Sequence, residues 1–409
     1  MIEKIRELKN NELIRGSFIF LILFNLFNMM NFAFHFLSGR LLEPNDYGTL
    51  AAIMAIVYIF NVPADSIQTI VSRYTTKVNK NNSKIKALMM QSLKRFFYWG
   101  LGSFVLFAIA SPFLGKFLNI ETPLLIITGA LLILVFTLPV NRGILQGMKE
   151  FSKLGVNFFA EGIVKLGFVI LLILLGMKVY GAVLGIIIGT LFAILISIIF
   201  LKKVIKTKTD KNVETKGIGI YSLPVLASVA AITIFYSIDL ILAKRFFPDI
   251  AGEYAVIAML GKILFFGSMP ISRVMFPLVS ERQEKNKHAG DILKKAFLIV
   301  FSLCILGLIV YYLFPKLIIS ILYGAKYLSF ANFLIYPSIA MALLAFSNVF
   351  IFYNLSSEKK NYNYLLILLV AVQIALLSLF HSTLFQFMLM NIIANAVLFL
   401  FMIFIYFKK

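Results

Sequence analysis

The chain has 409 residues, of which 61% are hydrophobic and only 14% charged, and its mean hydropathy is +0.94. This apolar content exceeds that of ordinary soluble domains, so the composition predicts a polytopic membrane protein. The formal net charge of +21 comes mainly from basic residues in short segments beside apolar runs, where they meet anionic lipid, and nucleic acid binding is not expected. The single cysteine, Cys304, excludes a disulfide framework and a thiolate metal site.

Twelve apolar runs are each long enough to cross about 30 Å of hydrocarbon as a helix. The predicted fold class is therefore an all-α polytopic membrane protein with twelve transmembrane helices. The segments on the side of the N-terminus hold 30 Lys and Arg residues and the opposite segments hold seven. The positive-inside rule then predicts a multi-pass protein of the inner or plasma membrane with both termini cytoplasmic. The predicted spans are centred near Asn28, Ile59, Leu106, Leu132, Ile170, Phe192, Ile232, Phe265, Leu306, Leu343, Ala371 and Leu398.

The first predicted span carries a stripe of polar side chains. Asn25, Asn28, Asn31 and His35 follow one another at spacings of three, three and four residues, which stacks them along one side of a helix. An unsatisfied amide in hydrocarbon is costly, so this polar stripe is expected to face protein or a water-filled cavity. Two interpretations stay open: the stripe lines a substrate cavity, or it forms hydrogen bonds that hold helices together.

The fifth and eighth predicted spans hold two deep cations. Asn157, Glu161 and Lys165 form a second stripe at spacings of four, in which Glu161 is placed to pair with Lys165. Lys262 lies about as deep in the eighth span, and a cation at that depth is costly unless it is paired or solvated. Lys262 therefore either contacts an anionic substrate or pairs with Asp239 of the preceding span.

A polar segment near the middle of the chain, rich in Lys and Thr, divides it into two halves. In each half an Arg closes a span, a Tyr opens the next span and a Pro follows sixteen residues later: Arg40, Tyr47 and Pro63 in the first half, and Arg245, Tyr254 and Pro270 in the second. This pattern indicates an internal parallel repeat. We therefore predict an N-terminal six-helix lobe at 1–206, a cytoplasmic linker at 207–217 and a C-terminal six-helix lobe at 218–409.

Four segments carry a family resemblance in order and spacing. They are FLSGRLLEPNDYGTLAAI, NRGILQGMKEFSKLGVNFFAEGIVKL, SIDLILAKRFFPDIAGEYAVIAMLGKILFF and ILYGAKYLSFANFLIYPSIAMALLAFSNVF. They resemble the Wzx-type polysaccharide flippases of the multidrug/oligosaccharidyl-lipid/polysaccharide exporter (MOP) superfamily. The resemblance implies two six-helix lobes arranged as a V around a central cavity. It also implies transport of a polyprenyl-pyrophosphate-linked oligosaccharide from the cytoplasmic to the outer leaflet.

The resemblance also suggests roles for the polar residues. The expected substrate-cavity residues are Asn25, Asn28, Asn31, His35, Lys165 and Lys262. The candidate phosphate contacts are Arg40, Lys262 and Arg273, and the candidates for coupling to a proton or sodium gradient are Asp65, Glu161 and Asp239. The expected partners are the lipid-linked oligosaccharide and membrane lipids, with glycan polymerases or glycosyltransferases as candidate protein partners. No metal or other cofactor is expected.

Two rival functions stay open. A multidrug cation antiporter of the same superfamily would favour a cavity richer in acidic than in basic residues, whereas this chain offers Lys165 and Lys262. A membrane glycan polymerase or ligase would act on the same substrate but would need a large outer loop, and every predicted outer loop is short. The sequence has no Walker-type glycine loop, and its three His residues lack metal-ligand spacing, so a non-enzymatic secondary transporter is expected.

Overall fold

The computed structural model describes residues 12–78, 81–208, 223–285, 289–356 and 363–407. Within these ranges the secondary structure is helical and contains no strand, which confirms the predicted all-α class. Each of the twelve predicted span centres lies in a helix. Residues 209–217 of the predicted linker at 207–217 lie outside the described residues.

The helices of the first half are separated by short connections. A π-helical turn, Ile173–Met177, joins α7 to α8. Within the described residues 12–78 and 81–208, the α-helices are α1 Glu12–Leu41, α2 Pro44–Phe60, α3 Val62–Lys77, α4 Asn82–Leu118, α5 Thr122–Gly129, α6 Leu131–Gly147, α7 Phe151–Leu172, α8 Lys178–Phe200 and α9 Lys202–Lys206.

The helices of the second half follow the undescribed segment. In the described part of this half, the 3₁₀ helices Pro248–Ile250 and Ala325–Phe333 interrupt them. The α-helices are α10 Leu223–Phe246, α11 Ala251–Glu284, α12 Gly290–Leu313, α13 Pro315–Leu322, α14 Ile335–Ser356, α15 Asn363–Leu379 and α16 Leu384–Phe407.

Ten helical stretches of the described chain are long and apolar enough to cross a membrane. The stretch Phe151–Phe200 contains both the fifth and the sixth predicted spans, which are the separate helices α7 and α8: Gly176, with φ of +86°, breaks the helical path between them, and the two helices pack against each other. The eleventh predicted span contains a shorter apolar helix, Leu365–Leu379. The predicted spans and the observed helices therefore agree, and the helical stretch of the eleventh span is shorter than the others.

Local sequence explains where the longest helix begins and ends. The Asn81 side chain accepts hydrogen bonds from the backbone N–H groups of Ser83 and Lys84, at 3.0 and 3.3 Å, and so caps the start of α4. At its other end Asn119 has φ of 54°, a left-handed conformation that often terminates helices. With 37 residues, α4 extends beyond the roughly 20 residues that a crossing requires.

The chain folds into two compact units. The N-terminal unit comprises Met1–Leu42 and Phe60–Tyr221, and the C-terminal unit comprises Glu43–Ile59 and Ser222–Lys409. The predicted lobe 1–206 differs from the first unit in residues 43–59, which form most of α2. The division into two repeated six-helix lobes stays a prediction.

In the N-terminal unit, α7 packs between α1 and α8, and α6 packs against α3 and α4. The apolar core includes Ile70, Val71, Leu88, Val140 and Ile144. Large apolar side chains elsewhere on these helices stay outside the core: Leu106 of α4 is 71% exposed and Leu195 of α8 is 59% exposed. Such broad exposed apolar surfaces match helices that face lipid.

In the C-terminal unit, α14 lies at the centre and packs against α11, α12 and α16. Its core includes Phe235, Phe265, Val349 and Leu398, each at most 1% exposed. The unit also contains α2, where the Tyr47 hydroxyl donates a hydrogen bond to that of Tyr323 at 3.3 Å. Two bundles of apolar helices thus position the buried polar groups described next.

Candidate functional site

A buried ion pair joins three helices of the N-terminal unit. Arg142 of α6 donates from Nη2 to Glu161 Oε2 of α7 at 2.5 Å, and these side chains are only 9% and 12% exposed. Arg142 also donates from Nε to Asn157 Oδ1 at 2.8 Å, while Thr190 of α8 donates to Glu161 Oε1 at 3.2 Å. The Arg142 guanidinium further lies 3.6 Å from the centroid of the Phe158 ring. Hydrogen bonds and an aromatic face thus surround both charges.

Lys165 of α7 is directed to a different partner from the one predicted. Its ammonium donates a hydrogen bond to Asn31 Oδ1 of α1, and its Nζ lies 5.4 Å and 5.6 Å from the ring centroids of Phe27 and Phe34. The predicted pairing of Glu161 with Lys165 is wrong, because Arg142 comes from α6 to bind Glu161. Within the described chain, no carboxylate lies at ion-pair distance from the Lys165 ammonium.

Close helix packing fixes the backbone at Lys165. Gly189 of α8 lies directly against this residue, and a Cβ atom at position 189 would stand 2.6 Å from the Lys165 Cβ. Because glycine lets two helix backbones approach closely, α7 and α8 pack tightly along this line. The Lys165 stem is therefore held in place, and only 8% of the residue is exposed.

Arg142, Glu161 and Lys165 form a cluster that carries more positive than negative charge. We call these residues the basic cluster. Arg142 and Glu161 lie close enough to Lys165 to act on its charge, and the two cations face one carboxylate. An uncompensated cation inside a membrane-spanning bundle is expensive, and neutral amides and aromatic rings offset this cost only in part. The basic cluster is thus suited to receive an anion.

The polar stripe of α1 is partly assembled into this site. Asn31 contacts Lys165, whereas Asn25 is exposed and donates to the backbone oxygen of Leu21 at 2.8 Å. Asn28 is half-buried and His35 is 5% exposed. The interpretation of the whole stripe as a cavity lining stays a prediction.

The C-terminal unit contains a second, electrically balanced cluster. Lys262 Nζ of α11 lies 3.2 Å from Asp239 Oδ1 and 3.5 Å from Oδ2, and the hydroxyl of Tyr254 donates to Asp239 Oδ2 at 3.0 Å. Both charged side chains are 1% exposed and Tyr254 is wholly buried. The pairing of Lys262 with Asp239, one of the two alternatives left open by the sequence, is the arrangement that the structure contains.

Amide side chains continue this cluster toward two further helices. Gln373 of α15 donates from Nε2 to the Phe235 backbone oxygen and to Asn391 Oδ1 of α16, both at 3.1 Å. Asn391 in turn approaches the Tyr254 hydroxyl, and Asn395 Nδ2 donates to the Asn391 backbone oxygen at 2.8 Å. All three amide residues are at most 1% exposed.

The remaining predicted residues lie apart from these clusters. Arg40, in the last turn of α1, and Asp65, in the first turn of α3, are exposed. Arg273 of α11 is exposed as well, with Nη2 at 3.9 Å from the sulfur of Met269. Their predicted roles in phosphate binding and ion coupling stay predictions.

Several residues of the two clusters escaped the sequence analysis. Arg142 follows the apolar run of α6 and was counted among the basic residues of a cytoplasmic loop, yet it is 8% exposed. Thr190, Gln373 and Asn391 are single polar residues in long apolar runs. Their polarity at membrane depth could have identified them from the sequence, because polar residues inside membrane spans usually face the interior of the helix bundle.

Comparison with known proteins identifies the family of the chain. A family model described as "Polysaccharide biosynthesis protein" matches residues 14–283. An uncharacterized membrane protein of Methanocaldococcus jannaschii is 21% identical over 288 residues, which cover 65% of this chain and 68% of that protein.

Solved structures show the same fold at low sequence identity. The inward-facing conformation of a multidrug resistance MATE family transporter of the MOP superfamily has a TM-score of 0.71 and 14% identity, covering 92% of this chain and 94% of that one. A MOP superfamily transporter from Pyrococcus furiosus, for which a binding pocket of reverse polarity is described, has a TM-score of 0.51 and 13% identity. It covers 96% of this chain and 94% of its own. The chain is thus an integral multi-pass membrane protein with a MOP superfamily transporter fold.

Proposed function

Because the chain belongs to the polysaccharide biosynthesis protein family, we propose that it is a flippase for a polyprenyl-pyrophosphate-linked oligosaccharide. The lipid moves from the cytoplasmic to the outer leaflet by alternating access, for the assembly of surface polysaccharide or other glycans. The protein acts as a secondary-type transporter and not as an enzyme. Both termini are cytoplasmic and the membrane is the inner or plasma membrane, as the distribution of Lys and Arg residues favours.

One observation carries this proposal: the basic cluster is buried in membrane-spanning helices and has an excess cation. Lys165 has a neutral amide and two aromatic rings around its ammonium, and its nearest carboxylate is already bound by Arg142. A diphosphate group supplies the negative charge that this arrangement lacks. Neutral polar groups of α1, such as Asn28, suit sugar hydroxyls, which need donors and acceptors more than charge.

The rival function is a multidrug antiporter that exports small organic cations; one of the similar structures is of a multidrug resistance transporter. The excess positive charge of the basic cluster would repel such substrates. Lys262 is a weaker candidate for the phosphate contact than Lys165, since Asp239 already neutralises it. A carboxylate at ion-pair distance from the Lys165 ammonium would have favoured this rival function. Among the described residues, no carboxylate lies at that distance.

Transport in liposomes distinguishes the two functions. We expect the reconstituted protein to move a fluorescent polyprenyl-pyrophosphate disaccharide between leaflets, detected by a membrane-impermeant quencher added outside. The matched control substrate is the same lipid without the diphosphate, which we expect to stay in its leaflet. Extrusion of a fluorescent organic cation, together with no movement of the diphosphate lipid, would contradict the proposal and favour the antiporter.

A further inference from the structure

A groove of about 540 Å³ lies between α11 and α12 in the C-terminal unit. We call it the α11–α12 groove. Its volume is in the range of about 300–1,000 Å³ that ligand pockets occupy. Seven of its lining residues are apolar and five are charged, and none of them belongs to the two buried clusters described above. The groove therefore calls for an account of its own.

The two helices of the groove run antiparallel. Near the end of α11, Arg282 Nη1 donates to Asp291 Oδ1 in the first turn of α12 at 2.6 Å. At the other end of the pair, the Tyr311 hydroxyl of α12 donates to the Leu260 backbone oxygen of α11 at 2.9 Å. The charged lining residues therefore lie where α11 ends and α12 begins, and the apolar lining continues from there along both helices. Because both helices are long and apolar enough to cross a membrane, the charged end lies at a membrane surface and the apolar part at hydrocarbon depth.

Three cations and two carboxylates line the charged end of the α11–α12 groove. Asp291 accepts from Arg282, and the pair is about half exposed. Glu281 accepts from Lys285 at 2.6 Å, also in an exposed pair. Lys295 is the third cation: it is exposed, and no carboxylate of the described residues lies at ion-pair distance from its ammonium. The charged end thus has an excess of one positive charge and is complementary to an anion.

The apolar part of the α11–α12 groove is open. Val274 and Leu278 of α11 lie four residues apart on one side of the helix and are 63% and 47% exposed. Ile299 of α12 lines the groove with them and is 52% exposed. A soluble anion makes no use of these side chains, whereas the acyl chain of a lipid lies along them. The two parts of the groove together therefore match an anionic lipid.

We propose that the α11–α12 groove binds one anionic phospholipid of the surrounding membrane. Its phosphate lies at Lys295 and Arg282. One acyl chain runs along Val274, Leu278 and Ile299. Basic pockets between transmembrane helices bind anionic lipid headgroups, and a single phosphodiester charge matches the excess positive charge of the groove. This phospholipid is not the transported diphosphate lipid, so the inference goes beyond the proposed function and does not depend on it.

Native mass spectrometry of the purified full-length protein in detergent tests the headgroup contact. The probe is dioleoylphosphatidylglycerol, and we expect zwitterionic dioleoylphosphatidylcholine to bind more weakly. Lys295→Gln should raise the dissociation constant of the anionic probe about fivefold, since one basic residue near a membrane surface contributes about 1 kcal/mol to the attraction of anionic lipid. The matched control is Lys294→Gln, because Lys294 is exposed beside Lys295 but does not line the groove. Equal dissociation constants for these two variants would overturn the proposal.

A second pair of variants tests the acyl-chain contact in the same assay. Ile299→Trp fills the apolar part of the α11–α12 groove and should abolish binding of the anionic probe. Leu298→Trp adds the same bulk at a residue that is 51% exposed and outside the groove lining, so it should bind like wild type. Circular dichroism shows whether both variants are folded. Equal binding by the two folded variants would overturn the proposal.

Competition identifies the source of the phosphate. Glycerol 3-phosphate has the phosphate without acyl chains, and we expect it not to displace the anionic probe at equal concentration. Displacement would mean that the groove binds free anions. We also expect polyprenyl-pyrophosphate disaccharide not to displace the probe, and displacement would mean that the groove belongs to the transported substrate. Either displacement would overturn the proposal. If wild type moves no diphosphate lipid in liposomes, the proposed function fails, while these binding measurements still decide whether the groove holds a phospholipid.

Discussion

Removing the negative charge of the basic cluster should destabilise the N-terminal unit strongly. Glu161→Gln keeps the size of the side chain and an oxygen near Thr190, but it leaves Arg142 without its carboxylate. Breaking a buried ion pair by neutralising one partner costs about 3–5 kcal/mol. Both side chains are about nine-tenths buried, so this range applies with little screening by solvent. The expected loss of unfolding free energy is therefore about 3–5 kcal/mol.

Reversible unfolding by dodecyl sulfate in mixed micelles measures this loss. The matched control is Glu150→Gln, which neutralises an exposed pair with Lys153, at 3.1 Å and with 39% and 43% of the side chains exposed. An exposed pair contributes about 0–1 kcal/mol, so the control should unfold nearly like wild type. The double variant Glu161→Gln/Arg142→Met should lose less than the sum of its single variants, because neither charge is left alone.

Two results would refute this reasoning. A loss below about 1 kcal/mol for Glu161→Gln would mean that the pair is solvated like a surface pair. Strict additivity of the two single variants would mean that Arg142 and Glu161 do not interact in the folded protein.

Two further changes act on the C-terminal unit, and the same unfolding assay measures both. Gly252→Ala should cost about 1–3 kcal/mol, because the new Cβ would lie 1.8 Å from the Pro44 backbone oxygen, whereas Gly267→Ala, with no atom within 4 Å, should not destabilise. Equal stability of these two variants would contradict this packing. Gln373→Leu should cost about 1–3 kcal/mol, because it removes two buried hydrogen bonds, from Gln373 Nε2 to the Phe235 backbone oxygen and to Asn391 Oδ1. A free energy of unfolding for Gln373→Leu equal to that of wild type would mean that the hydrogen bonds of the Gln373 amide do not stabilise the fold.

The sequence predicts the helices well and their partners poorly. Apolar runs of sufficient length specify the spans, and every predicted centre lies in a helix. The fifth and sixth spans are two helices, α7 and α8, separated at Gly176, whose positive φ breaks the helical path so that the two helices pack against each other. The helix Leu365–Leu379 is short because polar residues flank its apolar run, Lys359 and Lys360 before it and His381 and Ser382 after it.

The candidate site was predicted by residue type but not by pairing. Polar residues at helical spacing identified Asn31, Glu161 and Lys165 as inward-facing, since periodicity reports which side of a helix a residue occupies. Periodicity does not report which neighbouring helix that side meets. Glu161 therefore binds Arg142 from α6, and Lys165 binds Asn31 from α1. Single polar residues such as Gln373 have no periodic signal, and their contacts require the packed bundle.

The most direct test of the central claim is the initial flipping rate of the diphosphate lipid for Lys165→Met, Lys165→Arg and Lys153→Met. Lys153 lies on the same helix but forms an exposed pair with Glu150, so its variant controls for loss of a lysine. A hydrogen bond to a charged group contributes about 1.5–3 kcal/mol, which predicts a rate about 10- to 150-fold lower for Lys165→Met. Lys165→Arg should retain most of the activity, and Lys153→Met should match wild type. A Lys165→Met variant that folds and flips the diphosphate lipid at the wild-type rate would contradict the account.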